Sequence, residues 1–300
     1  MGIVDLPIVL LISQWFIKKR GLALGIAMTG YGLSGVILTP ITAYLLKIMD
    51  WRGVYFAFGI ILILLLVPMI VFLKEKPEAA AFHLHNGTHV KPGQHTGNSG
   101  TNPEISLSSA MRTDTFWLLV FAISCSGFVG CSLATHTVPY FQDAGFSSQA
   151  AANIVAMSSG LGIAGGLIAG ALADKISMKL LMTSVLLLQA IGLAALLFSH
   201  SWLSISIYVI VKGLAMEAPI ALLPLIIAHY FGISAIGAIY GSVCGFASIA
   251  MAVGPVITGY IYDRTGSYDL ALLLFVLLLA ASSALFAALK APKRFALPLG

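Results

Sequence analysis

Residues 208–227 read YVIVKGLAMEAPIALLPLII, an apolar run interrupted by Lys212 and Glu217. An ammonium is a fixed positive charge that can hold an anion, and a carboxyl in a low-dielectric setting has its charged form disfavoured until a proton or cation arrives. A lysine or aspartate costs about 2.5 to 3.5 kcal/mol at the middle of a bilayer, and glutamate is of the same kind. Ionisable side chains retained in such a run therefore point to function. Two plainer readings stay open: Lys212 snorkels or pairs with a carboxylate, and Glu217 hydrogen-bonds to a neighbouring helix. Five residues separate the pair by about 140° on a regular helix, so they share a face only if the turn near Gly213 and Pro219 is distorted. Among other polar residues in apolar surroundings, Asp5 fits a water interface. His136, one turn before Pro139, fits a carbonyl freed by a helix break. Asn153 and Gln189 suit hydrogen bonds between helices. Cys125, Cys131 and Cys244 have no pairing or metal-ligand spacing and read as packing residues.

The elements that position these residues are membrane spans. The chain is 59% hydrophobic and 9% charged, with a mean hydropathy of +0.99, which leaves too little polar surface to clothe a soluble domain of this size. Apolar stretches long enough to cross a core of about 30 Å lie at 21–46, 54–73, 115–140, 148–172, 178–199, 203–230, 234–260 and 268–289. A shorter stretch at 3–17, interrupted by Asp5 and Pro7, resembles the tail of a further span. A secretory signal carries its charge before its apolar stretch, whereas Lys18, Lys19 and Arg20 follow this one. Setting residues 18–20 inside and alternating from there puts Lys74, Lys76, Lys175, Lys179 and Lys290 to Arg294 inside, and Lys47, Arg52 and Arg264 outside. The net charge of +5 is thus a topology signal, and no nucleic-acid partner is needed to explain it. The polar tract at 74–113, rich in Pro, Gly, Asn and His, reads as a flexible cytoplasmic linker. His83, His85, His89 and His95 on such a tract do not make a metal site, and Asn86-Gly87-Thr88 on the cytoplasmic side is expected to stay unmodified.

A repeat spans the linker. The segment opening WFIKKRGLALGIAMTGYG parallels the segment opening YFGISAIGAIYGSVCGF: Phe16 matches Phe231, Gly21 and Gly25 match Gly237 and Gly241, Pro40 matches Pro255, and Tyr44 matches Tyr260. Two helices joined by a short turn recur in order, which duplication explains better than packing alone. In the second part four spans precede the repeated pair; in the first only the partial one does. Equal halves would place about three more helices before Met1.

This organisation, with WFIKKRGLALGIAMTGYG at 15–32, DWRGVYFAFG at 50–59, HTVPYFQDAGFS at 136–147, GALADKISMK at 170–179, HYFG at 229–232 and GPVITGYIYDRTGSY at 254–268, resembles the major facilitator superfamily. Within it the chain looks most like the branch of monocarboxylate transporters and oxalate/formate antiporters. The resemblance implies an all-α integral membrane protein with about nine of twelve transmembrane helices. It would be divided into 1–73 (part of an N-terminal six-helix bundle), the central linker 74–113 and a C-terminal six-helix bundle at 114–300. It implies a secondary active transporter for a small solute such as an organic anion, working by alternating access with proton symport or anion exchange. No cofactor or metal is implied, and the partners are the substrate, the bilayer and protons, for a monomer in the plasma (inner) membrane with a cytoplasmic C-terminus. Residues 208–227 then fall in the tenth helix, which lines the central cavity. There Lys212 would hold the anionic group and Glu217 the coupled proton, with His136 and Asp5 on the same cavity wall. GALADKISMK resembles the signature cytoplasmic loop. Gly170 would let helix ends pack, while Asp174, Lys175 and Lys179 would act as a conformational latch, or as ordinary loop charges. Ser177 stands where the signature has glycine and Met178 where it has a cation. Monocarboxylate transporters carry a substrate-binding Arg four residues before the loop glycine; this chain has Gly166 there.

Other classes fit less well. The spans show no His-Glu-x-x-His, no paired Asp and no Gly-x-Asp, so an intramembrane enzyme lacks its machinery. A channel would want charge rings or carbonyl filters. A transporter-fold sensor and an inactive fragment remain as alternatives, which flux in liposomes separates from a carrier.

Overall fold

The computed structural model describes residues 20–72, 106–173, 175–198, 201–216, 218–232 and 235–290. Asp5, Asp174 and Glu217, the stretch at 3–17 and most of the polar tract lie outside the described residues. The described residues form helices α1 (Arg20–Leu45), α2 (Trp51–Phe72), α3 (Leu107–Met111), α4 (Asp114–Asp143), α5 (Ser148–Ala173), α6 (Met178–Phe198), α7 (Trp202–Met216), α8 (Ala218–Phe231), α9 (Ile236–Thr265) and α10 (Asp269–Ala288). Eight stretches among them are long and apolar enough to cross a membrane, α7 and α8 counting as one span over Trp202–Phe231. A backbone that leaves water can satisfy its polar groups within helices, which is why the apolar runs take this form.

Three boundaries differ from the sequence expectation. α4 runs past Pro139 to Asp143 and is ended by Gly145, whose φ of 91° continues no helix. α9 carries on through Asp263 and Arg264 to Thr265, because the stop is Gly266 in the left-handed region and not the charges before it. Leu107–Met111, at the end of the polar tract, forms a helical turn whose first donors are met by Ser106: its Oγ accepts from Ser109 N at 3.3 Å. A turn this short shows no apolar period in sequence.

Residues 1–40 and 105–300 form one compact unit and 41–104 another. In the first, α4 packs on α9 and α10, α6 on α7 and α10, and α5 on α7. The core runs through Phe116, Phe141, Tyr208, Phe231 and Phe286, all buried. Since lipid is as apolar as these side chains, close fit decides how the helices associate, and small residues permit it. A Cβ on Gly254 would fall 2.6 Å from Phe128 O, and one on Gly213 would fall 2.8 Å from Ser158 O. α1 meets α5 in the same way: Cβ atoms on Gly25 and Gly32 would each lie 2.9 Å from a carbonyl, those of Gly166 and Ser159. In the second unit Asp50 caps α2, accepting from Gly53 N at 3.0 Å, and Arg52 covers the Trp51 ring at 4.4 Å. Most side chains of α2 are exposed, as a lipid-facing helix requires.

Candidate functional site

Lys212 sits in the last turn and a half of α7 and is 5% exposed. Its ammonium lies over the ring of Tyr208, 5.2 Å from the centroid. That face carries the negative part of the ring quadrupole, so a cation one helical turn away is held by it. The backbone around Lys212 is gripped from two sides. Gly192 of α6 lies under it, so that a Cβ there would sit 3.6 Å from Lys212 N, and Gly165 of α5 abuts the Leu214 carbonyl. Among the described residues no carboxylate comes within 4.0 Å of the Lys212 ammonium.

Tyr208, 1% exposed, also walls a cavity shared by α4, α6, α7 and α10, with Leu133, His136, Tyr140, Tyr268 and Phe275. The volume open to the centres of water-sized spheres is about 20 Å³, room for about one water. His136 bridges helices here. Its Nε2 lies 3.0 Å from Pro255 O on α9 and its Nδ1 3.3 Å from the Tyr268 hydroxyl. A carbonyl only accepts, so Nε2 donates to it, and Nδ1 is in hydrogen-bond reach of the Tyr268 hydroxyl, whose O–H it accepts in the tautomer protonated at Nε2 alone. The carbonyl His136 serves thus belongs to α9, across the bundle, and not to the Pro139 turn of its own helix. Tyr268 caps this arrangement from the turn before α10, stacked on Tyr262 at 4.5 Å. Burial first, then the Asp143 and Asp263 carboxylates, push the Tyr268 phenol above its ordinary value, which keeps it a donor to His136.

Tyr140 and Tyr268 also line a second, open depression of about 410 Å³, together with Asp143, Ser267 and Asp269. The two tyrosines therefore line both the carboxylate-bearing depression and the small cavity beside His136 and Tyr208.

Lys212 and His136 are brought to one region through Tyr208, whereas Asp5 and Glu217 lie outside the described residues. At the other end of the bundle Gly170 is buried, 3.5 Å from where a Cβ on Gly25 would stand. Lys175 is exposed, and Asp174 is outside the described residues. Lys179 donates from Nζ to Leu289 O at 2.8 Å, and Thr115 Oγ1 donates to Lys290 O at the same distance, so both hold the end of α10 within its own unit. Sequence reasoning passed over Tyr208, Tyr140 and Tyr268. Only Tyr208 carried a signal, standing four residues before Lys212 and so on its face of the helix.

Residues 1–216 match the sequence profile of the Major Facilitator Superfamily. The chain belongs to that superfamily. Among curated superfamily relatives, monocarboxylate transporter 12-B of Danio rerio is 27% identical over 93% of this chain and 62% of its own length. Monocarboxylate transporter 12 of Rattus norvegicus is 26% identical over 96% and 63%. A probable sulfoacetate transporter of Cupriavidus necator is 25% identical over 86% and 62%. The chain thus spans a little over three fifths of the length of these relatives. The crystal structure of FucP, a superfamily transporter in the outward conformation, aligns with a TM-score of 0.60 at 14% identity, over 91% of this chain and 69% of that one. At that identity the likeness speaks for the superfamily fold alone, which accords with the all-helical membrane architecture expected from the sequence.

Proposed function

We propose that this chain belongs to a secondary active transporter that moves a small organic anion by alternating access, coupled to proton symport or anion exchange, in the plasma (inner) membrane with the C-terminus cytoplasmic. The observation that carries the reading is Lys212: a 5% exposed ammonium within a span, held over an aromatic ring, next to a cavity walled by Tyr208 and His136. A charge at that depth with no carboxylate partner among the described residues is costly, and an anionic substrate would supply one. Glu217, five residues on, is the group proposed to carry the coupled proton. The names of the relatives, monocarboxylate and sulfoacetate transporters, describe carriers of carboxylates and so agree in chemistry. Gly166 replaces the binding Arg of the monocarboxylate branch, which leaves Lys212, a point charge without a bidentate fork, as the anion contact in this wall. Gly170, Asp174, Lys175 and Lys179 are proposed to act at the cytoplasmic loop as a latch between conformations.

The test is flux. The transporter to which this chain is proposed to belong, purified and reconstituted in liposomes, is given a panel of labelled small carboxylates and sulfonates, with and without an inward proton gradient or trapped anion. Saturable uptake of at least one anion, inhibited by unlabelled anion and absent from empty liposomes, is expected. Ligand binding without flux would establish a sensor instead.

A further inference from the structure

The amide of Gln189, on α6, donates to the carbonyl of Ala215 on α7 at 2.8 Å. In a continuous helix that carbonyl would accept from the N–H four residues on, and the residue four on is Pro219, which has none. Ala215 is 2% exposed, so water is not at hand to replace the missing donor. Within a bilayer a carbonyl freed by proline is satisfied by a neighbouring helix or left at a cost. One turn along α6, Gly192 meets the backbone of Lys212, so residues 189 and 192 of one helix seat residues 215 and 212 of the other in a single antiparallel register.

We propose that Gln189 is a positioning residue for transport: its side-chain amide stands in for the N–H that Pro219 lacks and so sets the helix geometry across the stretch that carries Lys212 and Glu217. This rests on the transport reading above. The interruption at Pro219 removes the regular backbone bond at Ala215, three residues after Lys212, and the Gln189 bond selects one geometry out of those the proline allows. Gln189 touches neither reacting proton nor substrate. Its effect passes through the Ala215 carbonyl.

The dependence on proline makes this role separable from ordinary packing. Gln189→Leu, Pro219→Ala and the double variant are compared by thermal unfolding of the purified protein and by uptake in liposomes. Gln189→Leu alone should lower the melting temperature, reduce proton-gradient-driven uptake about tenfold and displace its pH profile, since misplacement by a fraction of an ångström to an ångström costs rates of that order or more. In the Pro219→Ala background, where a backbone donor is restored, adding Gln189→Leu should change neither the melting temperature nor the pH profile. An equal effect of Gln189→Leu in both backgrounds overturns the proposal. Gln189→Glu supplies a second arm that keeps the proline. Its carboxyl donates to Ala215 O only when protonated, so it should exceed Gln189→Leu in stability in mild acid and lose that advantage as the pH rises. No difference between the two in acid also overturns it. Absence of wild-type flux sinks the transport reading and the positioning role together, whereas normal wild-type flux with additive variants sinks the positioning role alone.

Discussion

Lys212 is held by a ring face and by backbone packed against glycines, and among the described residues no carboxylate takes its side chain into a salt bridge. Lys212→Gln is expected to raise the apparent substrate constant strongly in liposome uptake while the protein still inserts and melts normally, because losing the charge also removes its burial cost. An unchanged constant would return the residue to a structural role. Glu217→Gln should mimic the permanently protonated carboxyl: substrate exchange persists and accumulation driven by a pH gradient disappears. Gradient-driven uptake at the wild-type level in that variant would remove Glu217 from the coupling step. For Tyr268 the sign follows from its raised phenol. The folded state holds the proton more tightly than the unfolded chain, so the contribution to stability is full below the ordinary tyrosine value of about 10 and is lost as pH climbs through the raised one. Tyr268→Phe should therefore lower the melting temperature below that pH and narrow its gap to wild type above it. Of these residues Lys212 was legible, because a charge in an apolar run stands out by itself. Tyr268 was not, since it is joined to His136 across 132 positions by a fold that brings the turn before α10 against α4.

At the scale of elements, the spans were readable to within a few residues, because an apolar run of bilayer length has few other fates. The ends were less so. α9 shows why: the apolar run reads to 260, but charges at a membrane surface are compatible with helix, which continues through Asp263 and Arg264 until a left-handed glycine ends it. The partners of each helix were beyond reach of the sequence, since a GxxxG-like spacing announces a close approach without naming the neighbour. The structure supplies them. α5 makes such approaches on two sides, meeting α1 at Gly166 and α7 through Gly165. Gly213→Val on α7 should be destabilising by about 1–3 kcal/mol or more, since its first carbon lands on Ser158 O, which as backbone cannot yield. The same region holds a cost that can be relieved. Ser132 and Ser158 bury their hydroxyl oxygens without a hydrogen-bond partner among the described residues. Ser132→Ala is expected to leave stability unchanged or raise it by about 1 kcal/mol. A clear fall in melting temperature would mean that the hydroxyl is satisfied in a conformation other than this one.

For the whole molecule, orientation is the property on which every other proposal depends, because it decides which end of α4, α5 and α9 faces the substrate supply. We propose that the cations set it: residues 18–20, 175, 179 and 290–294 fall on one side by alternation, against Lys47, Arg52 and Arg264 on the other. In the structure Lys179 and Thr115 hold the carbonyls of Leu289 and Lys290, so the start of α4, the start of α6 and the end of α10 lie at one end of the first unit. The open depression with Asp143 and Asp269 belongs to the opposite ends of α4 and α10, and under the proposed positive-inside placement that mouth would be external. Single cysteines at His95, Ser177 and Gly266, in a chain whose Cys125, Cys131 and Cys244 are replaced by serine or alanine, read the assignment directly. An impermeant thiol reagent added to intact cells should label the cysteine at 266 and spare those at 95 and 177 until the membrane is broken. Because Gly266 ends α9 with φ of 66°, the neighbouring Ser267 is the better site if that substitution proves unstable. Labelling of 95 or 177 from outside would invert the molecule. The acidic mouth would then open to the cytoplasm, and the proposed proton would have to enter by the end where Lys179 holds the Leu289 carbonyl.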